Sequence, residues 1–228
     1  MGHVEVMQVL LDGGADANKA RTDNGCTPLF FAAQNGHVEV MQVLLDGGAY
    51  ANKARTDNGC TPLYIAAHEA KLEAVRILLD NGADLNKATT DVGCTPLYTS
   101  SGEGLLEVVR CLLVGGADVN VSRSDGGATP LAVASRNGHY NVALILLKGG
   151  AVETACSVRG AKAAGVTDPR MLRLLVRWRC AMCDRHLCKV RLCAQCRLVS
   201  YCGRECQRGD WAQHKAACTK KALEGGQS

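Results

Sequence analysis

Aromatic residues make up only 4% of the 228-residue sequence, two Trp, two Phe and five Tyr. A core of large rings is thereby excluded, and one of Leu, Val and Ala packed through small side chains is expected. Proline is equally scarce: four of the five residues, Pro28, Pro62, Pro96 and Pro130, sit in a recurring Thr-Pro-Leu step. No window of about 18 apolar residues occurs, so no membrane-spanning helix is expected. The first residues, MGHVEVMQVLLDGGAD, carry acid where a secretory signal needs a basic start and a cleavage site. A soluble, unexported protein is the expectation.

Cysteine is abundant but unevenly placed, since eight of the thirteen lie from Cys180 to Cys218. Crowding into short-spaced pairs favours metal in a reducing compartment over disulfides, which predicts the cytoplasm or nucleus. Cys180, Cys183, Cys193, Cys196, Cys202, Cys206, His214 and Cys218 form four such pairs. Thiolate and imidazole donors in this number suit two closed tetrahedral zinc sites, which hold structure and leave no position open for catalysis. Cys188 and His186 lack a partner at ligand spacing and are read as spare surface groups.

The net charge of +4 conceals a division: residues 1–158 carry 11 basic and 17 acidic side chains, whereas 159–228 carry 15 and 5. Zinc-bound thiolates offset part of the tail's excess. The remainder is a field able to steer acidic partners.

Thr-Pro-Leu recurs at Thr27, Thr61, Thr95 and Thr129, a step of 34 residues, and Gly2–Cys26 matches Gly36–Cys60 except for Asp16 against Tyr50. Repetition at this period predicts a stacked helical array. In the unit from Thr61, the threonine is an N-cap, Pro62 takes the first helical position, and Leu63, Ala66 and Ala67 share a face. A second helix with Leu72, Val75, Leu78 and Leu79 on its inner side stops at Asn81-Gly82. Neither helix pair buries its apolar face alone, so stability must come from stacking.

Thr-Pro-Leu, the central Ala-Ala, Gly-His, and Leu-Leu followed by Gly-Ala-Asp and Asn resemble the ankyrin repeat over residues 1–150. That resemblance implies protein binding through hairpin fingers and the concave helical face. Phe30, Tyr64, Tyr98 and Ala132 replace the usual histidine, so packing should replace its hydrogen bond. The finger at Lys19–Asn24 and its copies is one residue longer than usual. The sequence opens in the second helix of a unit, which reads as a truncated or frayed first repeat, and residues 151–178 resemble a degenerate terminal repeat capping the stack. Arg21, Arg55 and Arg123, with Lys19, Lys53 and Lys87, form basic ladders beside Asp23, Asp57, Asp91 and Asp125, read as a self-compensated face. Cys26, Cys60 and Cys94 are expected as buried thiols. His3, His37 and His139 are expected to make local polar contacts.

The donor order over residues 180–218, supported by Tyr201, Gly203, Gln207 and the run Asp210–Lys215, resembles the MYND-type zinc finger. Spacing alone permits sequential or interleaved pairing. The resemblance implies the interleaved set: Cys180, Cys183, Cys202 and Cys206 on one zinc, Cys193, Cys196, His214 and Cys218 on the other. It further implies a groove for proline-rich peptides in which Gln207 and Trp211 take part, although Ala194 replaces the small polar residue usual there. Residues 219–228 read as a flexible tail.

The fold expected is therefore an all-helical ankyrin solenoid followed by a small zinc-stabilised finger. The function expected is a non-enzymatic adaptor, its stack holding one protein and its finger a proline-rich segment of another. The basic tail keeps nucleic-acid association as an alternative, and a ubiquitin-ligase component ranks lower. A SET-type methyltransferase domain has no room between the array and the finger.

Overall fold

The computed structural model describes residues 4–151 together with two short strands at 191–192 and 200–201. Among the described residues the order is α1 (Val4–Asp12), α2 (Pro28–Asn35), α3 (Val38–Asp46), α4 (Pro62–His68), α5 (Leu72–Asp80), α6 (Pro96–Gly102), α7 (Leu106–Val114), α8 (Pro130–Arg136), α9 (Tyr140–Lys148), β1 (Arg191–Leu192) and β2 (Ser200–Tyr201). Helices α2, α4, α6 and α8 pack side by side as one layer, and α1, α3, α5, α7 and α9 form a second layer behind it. No helix among the described residues is long and apolar enough to cross a membrane.

Each first-layer helix starts as its sequence dictates. Thr27, Thr61, Thr95 and Thr129 are extended N-caps followed by proline, and their hydroxyls accept the backbone N–H three residues on at 3.1–3.2 Å. The following leucines, Leu29, Leu63, Leu97 and Leu131, are buried, as are Leu44, Leu78, Leu112 and Leu146 of the second layer. In α5, Val75 and Leu78 are fully buried as expected, but Leu72 and Leu79 are only half-buried, and Ala74 fills the tight position instead. Close approach of the layers selects alanine there.

Burial is set by neighbours rather than by local sequence. Helices α1 and α3 share the sequence VEVMQVLLD, yet Val6 and Leu10 are 56% and 52% exposed while their counterparts Val40 and Leu44 are 7% and 0%. Only α3 has a first-layer helix on that face among the described residues. Full burial of such a side chain stabilises by about 1.5–3 kcal/mol relative to exposure, so the stack draws its stability from interfaces between repeats.

Two hydrogen-bond ladders tie the repeats together. In the fingers, Thr56 N–H donates to the Asn24 carbonyl, Thr90 to Asn58, and Ser124 to Val92, at 2.8–3.2 Å. Gly59, at φ 71°, lies so close under the next finger that a Cβ would stand 2.9 Å from the Thr90 nitrogen. At the opposite end, the Asn18 side chain donates to the Gly48 carbonyl and accepts from Tyr50 N–H, and Asn52 does the same with Gly82 and Asp84.

Candidate functional site

The fingers and first-layer helices present the candidate binding face of the stack. Each finger is closed by its own backbone, with Arg21, Arg55, Thr89 and Arg123 donating N–H to the carbonyls of Cys26, Cys60, Cys94 and Ala128 at 2.9 Å. The arginines point at the aspartates two residues on: Arg21 holds Asp23 through Nε and a terminal nitrogen at 3.0 and 2.6 Å. Arg55 grips Asp57 the same way, with Nε at 2.9 Å. Arg123 reaches Asp125 through one terminal nitrogen alone.

These pairs raise the pKa of Arg21 and Arg55 and lower those of Asp23 and Asp57, the side-chain hydrogen bond being the largest cause in each. Asp91, whose finger carries Thr89 in place of arginine, is lowered first by the Thr89 hydroxyl. The charge ladders are thus largely self-compensated, and exposed pairs of this kind contribute little stability. Lys19, Lys53 and Lys87 are exposed beside them.

Arginine also covers the aromatic residues that stand where histidine was expected. The Arg55 guanidinium lies 5.5 Å from the Phe30 ring centre, and that of Arg123 lies 5.6 Å from Tyr98, a cation–π arrangement between successive repeats. Phe30 and Tyr98 are buried beneath, while Phe31 is exposed at the surface of α2. Spacing revealed the arginine ladder, but not that the rings one repeat back would receive it.

Cys26, Cys60 and Cys94 are buried free thiols, and burial raises the pKa of each, Cys60 being pushed up to about 11. Such thiols are poor nucleophiles and metal ligands at neutral pH. His139 makes a polar contact, but across repeats rather than locally, its Nε2 lying 2.9 Å from the carbonyl of Gly102 in the preceding repeat. His37 precedes α3 without a side-chain cap bond.

The candidate metal ligands, Cys180, Cys183, Cys193, Cys196, Cys202, Cys206, His214 and Cys218, lie outside the described residues. So do His3, Cys188, His186, the candidate peptide contacts Gln207 and Trp211, and the candidate capping segment beyond Ala151. Within the finger sequence, β1 and β2 pair antiparallel, Arg191 opposite Tyr201 and Leu192 opposite Ser200. The donor chemistry of seven thiols and one imidazole fits zinc.

Comparison with known proteins agrees with this division. A family model for ankyrin repeats in three copies matches residues 1–89 and 86–155, and one for the MYND finger matches residues 180–218. The latter match implies zinc binding. Two curated proteins are similar over the finger region. One is the "SET domain-containing protein 14" of Caenorhabditis elegans, 41% identical over 39 residues, 17% of this chain. The other is the "SET domain and MYND-type zinc finger protein 6" of Schizosaccharomyces pombe (strain 972 / ATCC 24843), 40% identical over 45 residues, 20% of this chain. The chain spans 9% of the length of each of these relatives. With capped helix pairs, cross-repeat ladders and a family match over most of its length, the chain belongs to the ankyrin-repeat proteins and carries a MYND-type finger C-terminal to the repeats in sequence.

Proposed function

We propose that this protein is a non-catalytic adaptor, in which the ankyrin stack holds one protein and the MYND finger a proline-rich segment of a second. The observation that carries the reading is the presence of two protein-interaction modules in one chain. Linking two binding surfaces raises the effective concentration of their partners without new contacts. The SET domains in the relatives' names lie outside the short stretches this chain shares with them, so methyl transfer is not carried over.

In the finger, Cys180, Cys183, Cys202 and Cys206 hold one zinc ion, and Cys193, Cys196, His214 and Cys218 the second. Bound zinc supplies folding free energy to a segment too short to bury an adequate core. The flat face of Trp211 receives a preformed polyproline helix at small entropy cost, with Gln207 as its polar neighbour. Residues 151–178 cap the stack, and residues 219–228 form a tail. Work in the reducing interior, cytoplasm or nucleus, follows from thiolate ligation.

The test is a pull-down with the intact protein beside Trp211→Ala and Cys206→Ser variants. Loss of one partner set with both variants, and retention of another, supports the adaptor. Capture unaffected by Trp211→Ala rejects the peptide groove. Capture of nucleic acid alone, declining steeply with salt, favours the basic-tail alternative. Native mass spectrometry should count two zinc ions per chain, and fewer would reject the paired sites.

A further inference from the structure

The third finger differs from its sisters by one missing cation. From Ala88 to Cys94 it reads Ala-Thr-Thr-Asp-Val-Gly-Cys, where the second, from Ala54 to Cys60, reads Ala-Arg-Thr-Asp-Asn-Gly-Cys. Thr89 thus stands in the place of Arg21, Arg55 and Arg123, and Val92 in that of Asn24 and Asn58. The two exchanges are coupled. Asn24 and Asn58 accept the N–H of Cys26 and Cys60 through Oδ1 at 3.0 Å, and in the third finger the Thr89 hydroxyl takes over, accepting from Cys94 N–H at 3.1 Å. The Thr89 side chain is therefore engaged within its own finger, and Asp91 is the only charged residue from Ala88 to Cys94.

The same exchange leaves a ring without its cation. The Arg55 guanidinium lies over Phe30 and that of Arg123 over Tyr98, each over the aromatic residue one repeat back. The ring that corresponds to position 89 is Tyr64. Phe30 and Tyr98, beneath their arginines, are 2% and 6% exposed, whereas Tyr64 is only half-buried and Asp91 is exposed. Tyr64 is held in place by His68, stacked on it with ring centres 6.5 Å apart. Burial is the first cause that raises the Tyr64 pKa and the Asp91 charge adds to it, which puts ring and carboxylate within electrostatic reach of each other. The Asp91 carboxylate accepts Val92 N–H at 2.6 Å, and the Arg123 charge acts on it more weakly than the Thr89 hydroxyl and this N–H do.

We propose that an arginine side chain of the stack's protein partner docks here, its guanidinium plane over Tyr64 and its nitrogens on the Asp91 carboxylate. The proposal rests on the adaptor reading and names the side chain the stack selects. Arg55 is the internal template, since it covers Phe30 while its Nε donates to Asp57 at 2.9 Å. A planar guanidinium can lie on a ring and fork onto a carboxylate at once, which the compact ammonium of lysine cannot. Residues 1–158 carry 17 acidic against 11 basic side chains, so the field of the stack attracts a basic segment.

The experiment is a titration of the zinc-loaded, ¹⁵N-labelled full chain with N-acetyl-arginine amide, and in parallel with its neutral isostere N-acetyl-citrulline amide. Saturable shifts of the Asp91 and Val92 amides are expected with the arginine probe, with a dissociation constant on the order of 10 mM, and none with citrulline. Asp91→Asn should weaken binding about fivefold. The double variant Thr89→Arg, Val92→Asn gives the third finger the sequence of the second from Ala88 to Cys94; it should fold, fill the place itself and abolish the shifts. No saturation with the arginine probe, equal response to citrulline, or undiminished binding in the double variant overturns the proposal. If native and double-variant chains capture the same proteins in pull-down through the stack, the arginine site falls and the adaptor reading stands; if the stack captures none, the adaptor reading falls whatever the probe does.

Discussion

Asn52 bridges two repeats by donating from Nδ2 to the carbonyl of Gly82, thirty residues away, at 3.0 Å. Its Oδ1 meanwhile accepts the backbone N–H of Asp84 at 2.7 Å. One side chain thus satisfies two main-chain groups of the next repeat. Asn52→Ala removes both bonds, and at a net 0.5–1.5 kcal/mol per bond the loss is about 1–3 kcal/mol. Asn52→Asp keeps the acceptor but places a carboxylate against a carbonyl oxygen, and is expected to be at least as destabilising. Thermal melts of the three proteins check both statements, and equal stability of native and alanine forms would remove the bridge from the account.

Much of this stack is legible in the sequence because its information is local and repeated. Thr61, Pro62 and Leu63 specify a cap, a first helical residue and a core contact within three positions, and the 34-residue step multiplies the signal. Self-pairing of the Arg-Asp ladder was equally legible, since the partners lie two residues apart. What escaped were relations that cross repeats: the Asn52 bridge, the Arg55 guanidinium over Phe30, and the selection of Ala74 over Leu72 for the tightest packing. Each depends on how far one repeat rotates against the next, which no single unit encodes.

Thr61 illustrates a cost that its own unit determines. Its hydroxyl, on a residue 1% exposed, accepts the Tyr64 N–H at 3.1 Å at the start of α4. Thr61→Ala should cost about 1–2 kcal/mol, and Thr61→Ser, which keeps the acceptor, distinctly less. Denaturant melts of the two variants give the comparison, and an alanine form no weaker than the serine form would contradict it.

Gly59 and Gly82 separate two kinds of glycine requirement. Both have positive φ, 71° and 73°, but a Cβ on Gly59 meets the Thr90 nitrogen at 2.9 Å whereas one on Gly82 meets nothing within 4 Å. Gly82→Ala should cost only the left-handed backbone penalty, about 1–2 kcal/mol. Gly59→Ala adds a collision with the next finger's main chain and should be clearly worse. Equal losses in urea melts would show that the fingers give way without cost.

The buried thiol of Cys60 gives the stack a signature at alkaline pH. Burial pushes its pKa up to about 11, above the ordinary thiol range, so the folded state holds this proton more tightly than the unfolded chain. Its stabilising contribution is fully present below pH 9 and is lost as the pH rises through about 11, an effect of at most about 2–3 kcal/mol. Melting curves from about pH 8 to about pH 11 should therefore fall less steeply for Cys60→Ala than for the native protein. Parallel curves would mean that the thiol titrates normally.

Zinc removal should separate the two parts of the chain. Among the described residues no group of three or more His, Cys, Asp or Glu side chains is placed to hold a metal, and the core of the stack is made of Leu, Val and Ala contacts. A structural zinc site, by contrast, contributes on the order of 10 kcal/mol to the folding of its segment. A strong chelator is therefore expected to leave the helical circular-dichroism signal and the melting of the stack nearly unchanged. Amide-exchange protection over residues 180–218 should be lost in the same sample and return when zinc is added back. Retention of that protection without metal would refute zinc as the source of the finger's stability, and collapse of the stack would show that the finger braces it.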